Sequence, residues 1–240
     1  MKPTLGILAD IGNLKRAIIL FASALILGGT GSPSFGDTLE CDTVTLEFEP
    51  RHDAVAHAAC GHVAKAKKLL ADCGLVQHHP LTIKIAEQVD HPAYGQCLGY
   101  FDTANECLRI ATPDGYAVLL SEKDARAHLP PDEVFASIIA HELTHAFLLQ
   151  SHQGAELGAA EHEFLASAFE MATLDEKWRD VLLEANPIKS GGSMDLVNPG
   201  IYMLSPRAFA NNAWLLFQRE ENGCALVRKI TSGEFRFPRD

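Results

Sequence analysis

The sequence lacks three features that would assign a chain of 240 residues to a familiar class at once. No two of its six cysteines are spaced as Cys-x-x-Cys, which argues against a structural zinc cluster. The apolar run at residues 17–29 is about a dozen residues long, short of the ~20 that a transmembrane helix needs. There is no internal repeat, low-complexity tract or long linker, so the length fits one sizeable domain or two small ones.

Basic side chains are also scarce. Lys and Arg number 20 against 31 Asp and Glu, which gives a formal net charge of −11, and they form no basic stripe. Such a surface repels the phosphate backbone of nucleic acids and the headgroups of anionic membranes. We therefore expect no nucleic-acid partner. The composition, 47% apolar and 21% charged, is that of an ordinary globular protein.

The first 36 residues have the order of a secretory signal peptide. Lys15 and Arg16 precede the apolar run, and the small residues of 31–36 follow it, with Ser34 and Gly36 suited to a cleavage site just before Asp37. We expect a mature domain of residues 37–240, secreted or periplasmic, with no stable membrane span after cleavage; a retained membrane anchor is the alternative. Cleavage removes three basic residues and one acidic residue, which leaves a charge of −13.

All six cysteines lie in the mature part, and an even number in an exported protein predicts up to three disulfides. They are Cys41, Cys60, Cys73, Cys97, Cys107 and Cys224. If residues 53–73 form one helix, Cys60 and Cys73 lie about 20 Å apart and cannot pair. Cys97 and Cys107 flank an expected hairpin, which makes them the favoured local pair. The other pairings stay open.

Periodicity predicts strands in the first half of the mature chain and helices in the second. The alternating segments are 43–48, 81–86, 97–101 and 106–111, with a further short strand at 116–120 and a helix at 53–73. From residue 130 onward the pattern is helical. This order predicts an α+β domain: a small twisted sheet with one N-terminal helix, then a metal-binding helix, a glutamate-bearing helix and C-terminal helices.

The chemistry is expected on the helix that starts at Pro130–Pro131. Its buried, mostly apolar sequence contains His141-Glu142-Leu143-Thr144-His145. Residues four apart project from one helix face, so both imidazoles can bind one Zn²⁺ ion at ~2.0–2.1 Å. Glu142 lies about 100° around the helix, where it can take a proton from a zinc-activated water. The alternative is a buried helix with two hydrogen-bonded core histidines.

A catalytic zinc site needs a third protein ligand, and the next helix offers Glu161 and Glu163. They lie about 200° apart on a helix, so only one of them can face the metal. The face of Glu163 carries the small residues Ala159, Ala160, Ala166 and Ser167, which would let the two helices approach closely. The face of Glu161 is bulkier. The residues alone leave both glutamates open.

These motifs, over residues 141–170, resemble the gluzincin zinc peptidases, the thermolysin-like group, and especially its small exported bacterial forms. In that group the third ligand lies in a segment Asn-Glu-x-x-Ser-Asp, which aligns with His-Glu-Phe-Leu-Ala-Ser at 162–167. The resemblance implies a zincin-like fold, zinc held by His141, His145 and Glu163, and Glu142 as the general base. One departure is Ser167, which stands where the family has an Asp that orients a zinc-binding histidine.

We therefore expect zinc-dependent hydrolysis of a peptide or protein substrate, by an endopeptidase or aminopeptidase. Tyr202, expected in a loop at 198–205, is the candidate donor for the oxyanion, with His152 and His162 as others. A strand within residues 94–120 is the candidate sheet edge for an extended substrate. The alternatives are an exported, non-catalytic zinc-binding envelope protein and a peptidase acting on cell-wall crosslinks.

Overall fold

The computed structural model describes residues 36–151, 157–189, 191–219 and 223–238. The predicted signal peptide therefore lies outside the described residues except for Gly36, and so does His152. None of the helices in the described ranges is both long enough and apolar enough to cross a bilayer.

A mixed five-stranded sheet forms one layer of an α+β fold. Its strands are β1 (Asp37–Cys41), β2 (Val44–Phe48), β3 (Leu81–Ala86), β6 (Gly99–Asp102) and β7 (Cys107–Ala111), in the order β1-β2-β3-β7-β6. β2, β3 and β7 are parallel to one another, and β1 and β6 are antiparallel to their neighbours. β4 (Val89–His91) and β5 (Gly95–Cys97) form a separate two-stranded sheet.

The sheet forms where sequence alternation matches the strand period. In β3 the side chains of Leu81, Ile83 and Ile85 are buried, while those between them are half-buried. The strands predicted at 43–48 and 81–86 are confirmed as β2 and β3, and the hairpin at 97–111 is confirmed as β6 and β7. β1 was not predicted; it pairs with β2 through the tight turn at Asp42.

Eight helices complete the described fold. They are α1 (Asp53–Asp72), α2 (Tyr116–Leu119), α3 (Pro131–Ser151), α4 (Ala159–Thr173), α5 (Glu176–Ala185), α6 (Pro199–Leu204), α7 (Pro206–Arg219) and α8 (Gly223–Thr231). α1 is the connection between the parallel strands β2 and β3 and packs against α3. α3 is the central helix, since α1, α4 and the edge strand β6 all pack against it. α4 then packs against α7, which builds the helical half of the fold around α3.

Two predicted elements have a different conformation. The strand predicted at 116–120 is instead the helix α2, which ends at Leu119, because the turn at Pro113–Gly115 leads directly into a helical turn closed by Leu120 N–H on Tyr116 O. Tyr202 lies on α6 and not in a loop. Asn198 accepts a hydrogen bond from Ile201 N–H and Pro199 occupies the first turn, a combination that starts a helix.

Two disulfides fasten α1 at its middle and at its end. Cys41–Cys60 ties β1 to α1, and Cys73–Cys224 ties the end of α1 to α8. Cys60 and Cys73 do not pair, as predicted. The predicted Cys97–Cys107 pair is wrong, and both are free thiols. Cys107 lies opposite Asp102 in the hairpin. Cys97 precedes Asp102 by five residues, about 16 Å at the rise of a strand, which is too far from Cys107 for a disulfide.

Candidate metal centre

Helix α3 places His141, Glu142 and His145 at the floor of a cleft. The imidazoles of His141 and His145 are one turn apart, and their Nε2 atoms lie 3.3 Å from each other. Thr144, between them in sequence, turns inward and its hydroxyl donates to Ala140 O at 2.7 Å. Burial, and then the neighbouring His141, lower the pKa of His145 well below its usual value. His145 is therefore neutral, which is the form that binds a metal.

Glu163 of α4 completes a cluster of three ligand atoms. Its Oε2 lies 3.6 Å from His141 Nε2 and its Oε1 lies 3.7 Å from His145 Nε2. With one ligand atom taken from each residue, the three atoms lie within 4.8 Å of one another. Two ligand atoms bound tetrahedrally to one zinc ion are about 3.3 Å apart, so the three side chains come near the spacing that zinc requires. Glu163 Oε2 is also buried without a hydrogen-bond partner among the described residues. Such an atom is costly unless a cation binds it, so this residue set fits a zinc ion.

Glu161 has a different task. Its Oε2 accepts from Gly158 N–H at 3.0 Å and caps the start of α4, while its Oε1 accepts from Phe237 N–H at 3.0 Å. The side chain is 2% exposed. The sequence left open which of the two glutamates is the third ligand. They lie on different faces of α4: Glu163 faces the histidines, and Glu161 anchors the C-terminal segment.

Glu170 supplies the orienting carboxylate that Ser167 cannot. Its Oε2 accepts a hydrogen bond from His141 Nδ1 at 3.1 Å, which places a proton on Nδ1 and directs Nε2 at the cluster. Its Oε1 accepts from Arg207 Nη2 of α7 at 2.7 Å. Burial would raise the pKa of Glu170, but Arg207 and His141 together hold it far below its usual value. Glu170 is therefore a buried anion behind His141.

The same contact acts on His141. Burial alone would lower the pKa of His141, but the hydrogen bond to Glu170 and the nearby carboxylates, Glu142 first, raise it to about 9. Without a metal His141 is therefore protonated, and a metal that binds Nε2 would displace that proton. Sequence reasoning missed this role of Glu170. The signal was present: Glu170 is seven residues after Glu163, two helical turns, and hence on the same face of α4. Its partner Arg207 comes from a distant helix, and no local pattern indicates it.

Glu142 lies between α3 and the edge strand β6. Its side chain is 6% exposed, and burial raises its pKa to about 7. The backbone of Phe101 hydrogen bonds to the carboxylate. The strand comes this close because residue 99 is a glycine: a Cβ there would lie 2.9 Å from Ile138 Cγ2 and 3.5 Å from Glu142 Cγ.

The cleft has two halves. His141 lines both of them, whereas His145 and Glu163 line only the aromatic half. His141, Glu142, Gly99, Cys97 and Tyr202 line both halves. The aromatic half, about 550 Å³, is further lined by His91, Tyr94, Tyr100, Phe101, Leu149 and His162. The polar half, about 470 Å³, is further lined by Lys123, Asp124, Arg126, Glu170, Asn186 and Arg207.

Two candidate oxyanion donors line this cleft. The Tyr202 side chain lies against Glu163, and burial, followed by that carboxylate, raises its pKa, so its hydroxyl keeps its proton. Its ring packs edge-on against Phe209 at 5.3 Å between centroids. His162 lies in the aromatic half, with its ring stacked on that of His145 at 5.8 Å.

The sequence of residues 46–240 matches a protein family of unknown function (DUF6639). The match covers most of the chain, which therefore belongs to that family. No curated protein and no solved structure matches the chain.

Proposed function

We propose that this member of the family is an exported zinc-dependent peptidase, in which His141, His145 and Glu163 hold the metal and Glu142 is the general base. The observation that carries the proposal is the cluster itself: three ligand atoms within 4.8 Å of one another, in the wall of the aromatic half of the cleft, with His141 also lining the polar half. A purely structural site would have no need of an open cleft beside it.

A zinc ion, when bound, would polarise the scissile carbonyl and lower the pKa of the attacking water. Glu142 takes a proton from that water as its oxygen bonds to the carbonyl carbon. It then gives the proton to the amide nitrogen as the C–N bond breaks. The carboxylate is buried beside the cluster, where it can serve both steps without being a ligand. The protonated hydroxyl of Tyr202 is the donor for the oxygen of the carbonyl under attack.

Strand β6 is the candidate surface for the substrate backbone. It is the outermost of the described strands on its side of the sheet, and it forms the cleft wall next to Glu142. Ala111 N–H donates to Leu98 O at 2.8 Å, so the alternation of an antiparallel ladder directs the backbone groups of Gly99 and Phe101 away from β7. The Phe101 N–H is taken by Glu142, which leaves the Gly99 groups and the Phe101 carbonyl for a substrate. An extended peptide can pair there and cross the cluster.

The test compares wild-type protein with Glu142→Gln and with Glu184→Gln, a control on the exposed face of α5. Each is measured for zinc content and for cleavage of a broad peptide library with zinc restored. We expect one zinc per chain in all three and cleavage by the wild type and the control alone, with a loss of at least about 10²-fold in Glu142→Gln.

Two results would contradict the proposal. Normal cleavage by Glu142→Gln would show that Glu142 is not the general base. Zinc in every variant without cleavage by the wild type would favour the non-catalytic zinc-binding protein instead. Purified cell-wall material in the same assay tests crosslink peptides as the substrate.

A further inference from the structure

We infer that the polar half of the cleft binds a carboxylate of the substrate. The inference rests on the proposed function, since it concerns the substrate of the same site. Two observations support it: three cationic side chains line this half, and only two of them form an ion pair with a carboxylate there.

The anions of the polar half are already paired. Asp124 accepts from Arg126 at both oxygens, from Nε at 3.1 Å and from Nη2 at 2.7 Å. Glu170 accepts from Arg207 at 2.7 Å and from His141. Neither carboxylate is therefore available to an incoming cation, and each of the two ion pairs is close to neutral as a unit.

The third cation of this half, Lys123, has no such partner. It is exposed at the rim, and no described residue forms an ion pair or hydrogen bond with it. Away from Glu142, the polar half therefore carries one positive charge more than its own anions balance.

Arg126 also has a donor to spare. Its Nε and Nη2 are used by Asp124, while its Nη1 makes no hydrogen bond with the described residues. A guanidinium has five N–H donors and pairs well with a planar carboxylate. An ammonium and a partly used guanidinium on one wall are the donor set that an anionic carboxylate needs.

The other half of the cleft has a different character. Its wall is an aromatic cluster in which the ring of His91 stacks on Tyr94 at 4.6 Å and meets Tyr100 edge-on at 4.8 Å between centroids. The Tyr94 side chain is 85% exposed, so it offers apolar surface to a ligand. The two halves together select a peptide with an apolar or aromatic residue on one side of the cleaved bond and a carboxylate on the other.

A carboxylate in a peptide has two sources, the C-terminus and an acidic side chain. We distinguish them with acetylated peptides that share a Phe-Ala core. One pair is Phe-Ala-Ala with a free C-terminus and its amide. The other pair is the amides of Phe-Ala-Glu and Phe-Ala-Gln. Binding to zinc-loaded Glu142→Gln is measured by calorimetry, and cleavage is measured with the wild type.

Lys123→Gln is the test variant, and Lys68→Gln, on the exposed face of α1, is its control. Each substitution is made in wild type for cleavage and in Glu142→Gln for binding. Lys123 is exposed, so its replacement leaves the fold intact. We expect the carboxylate-bearing member of one pair to bind at least 10-fold more tightly than its neutral match. Lys123→Gln should reduce that ratio about 3- to 10-fold, and the control should not change it.

The pair that shows the preference identifies the source of the carboxylate. Equal binding of both members in both pairs overturns the inference, even if all four peptides are cleaved. A preference that Lys123→Gln leaves unchanged also overturns it. If no peptide is cleaved, the proposed function fails on its own, because the binding measurement still decides whether the polar half recognises a carboxylate.

Discussion

Replacing Glu170 by Gln should weaken zinc binding, because Glu170 orients His141. The amide oxygen of Gln can still accept from His141 Nδ1, so the ring keeps its place, but the negative charge behind the imidazole is lost. Outer-shell partners of this kind contribute about 10- to 100-fold to metal affinity, or roughly 1.4–2.7 kcal/mol. Competition with a chromophoric chelator at fixed pH measures the dissociation constant.

The difficulty is that Glu170 also stabilises the fold. It pairs with Arg207, and both side chains are largely buried, so the substitution costs about 3 kcal/mol of the free energy of unfolding. Arg207→Gln is the matched control, since it breaks the same pair but leaves the Glu170–His141 hydrogen bond in place. Chemical denaturation of the zinc-free proteins should show similar losses for the two variants.

The two measurements together separate positioning from stability. We expect Glu170→Gln to lose at least 10-fold in zinc affinity and Arg207→Gln to lose less than about 3-fold, with comparable stability. If both variants lose zinc affinity equally, Glu170 acts only through the fold. If neither does, the orienting role assigned to Glu170 is wrong.

Three other predictions concern the scaffold. Gly99→Ala should lower peptide cleavage and stability, because its Cβ would press on Ile138 at 2.9 Å; unchanged activity would refute the close approach of β6. Removing the Cys73–Cys224 disulfide by double Ala substitution should cost about 5 kcal/mol in chain-entropy terms, measured by urea unfolding, and a loss below 1 kcal/mol would contradict it. Burial raises the pKa of Asp124, but the partner Arg126 lowers that pKa more, so the stabilising effect of the Asp124 carboxylate is present above pH ~3.8 and lost below. The difference in free energy of unfolding between wild type and Asp124→Asn should therefore narrow from pH 5 to pH 3. A difference that stays constant over this range would contradict the prediction.

The hydrophobic pattern of the sequence predicted those helices and strands whose formation depends on neighbouring residues. The alternation of residues 81–86 predicts β3 at its observed bounds, and the unbroken apolar run after residue 130 predicts α3. The helix period brings His141 and His145 to one face of α3 and puts Glu161 and Glu163 on different faces of α4, but it does not decide which glutamate faces the histidines. These relations follow from the geometry of single helices, whereas the choice of Glu163 depends on how α4 packs against α3.

Long-range contacts were beyond such reasoning. The pairing of Cys73 with Cys224 joins residues 151 apart, and the pairing of Glu170 with Arg207 joins two helices whose packing no local signal specifies. The strand predicted at 116–120 failed because its few apolar residues fit either period, and the preceding turn decided for a helix. The aromatic and polar halves of the cleft likewise appear only after the chain has folded.

The most direct measurement is the zinc content of purified protein, by mass spectrometry of the metal, in three forms: wild type, Glu163→Gln and Glu161→Gln. The account predicts one zinc per chain in the wild type and in Glu161→Gln, and much less than one zinc per chain in Glu163→Gln. Wild-type protein that binds no zinc at micromolar concentration, or a Glu163→Gln variant that binds it as tightly as the wild type, would contradict the central claim.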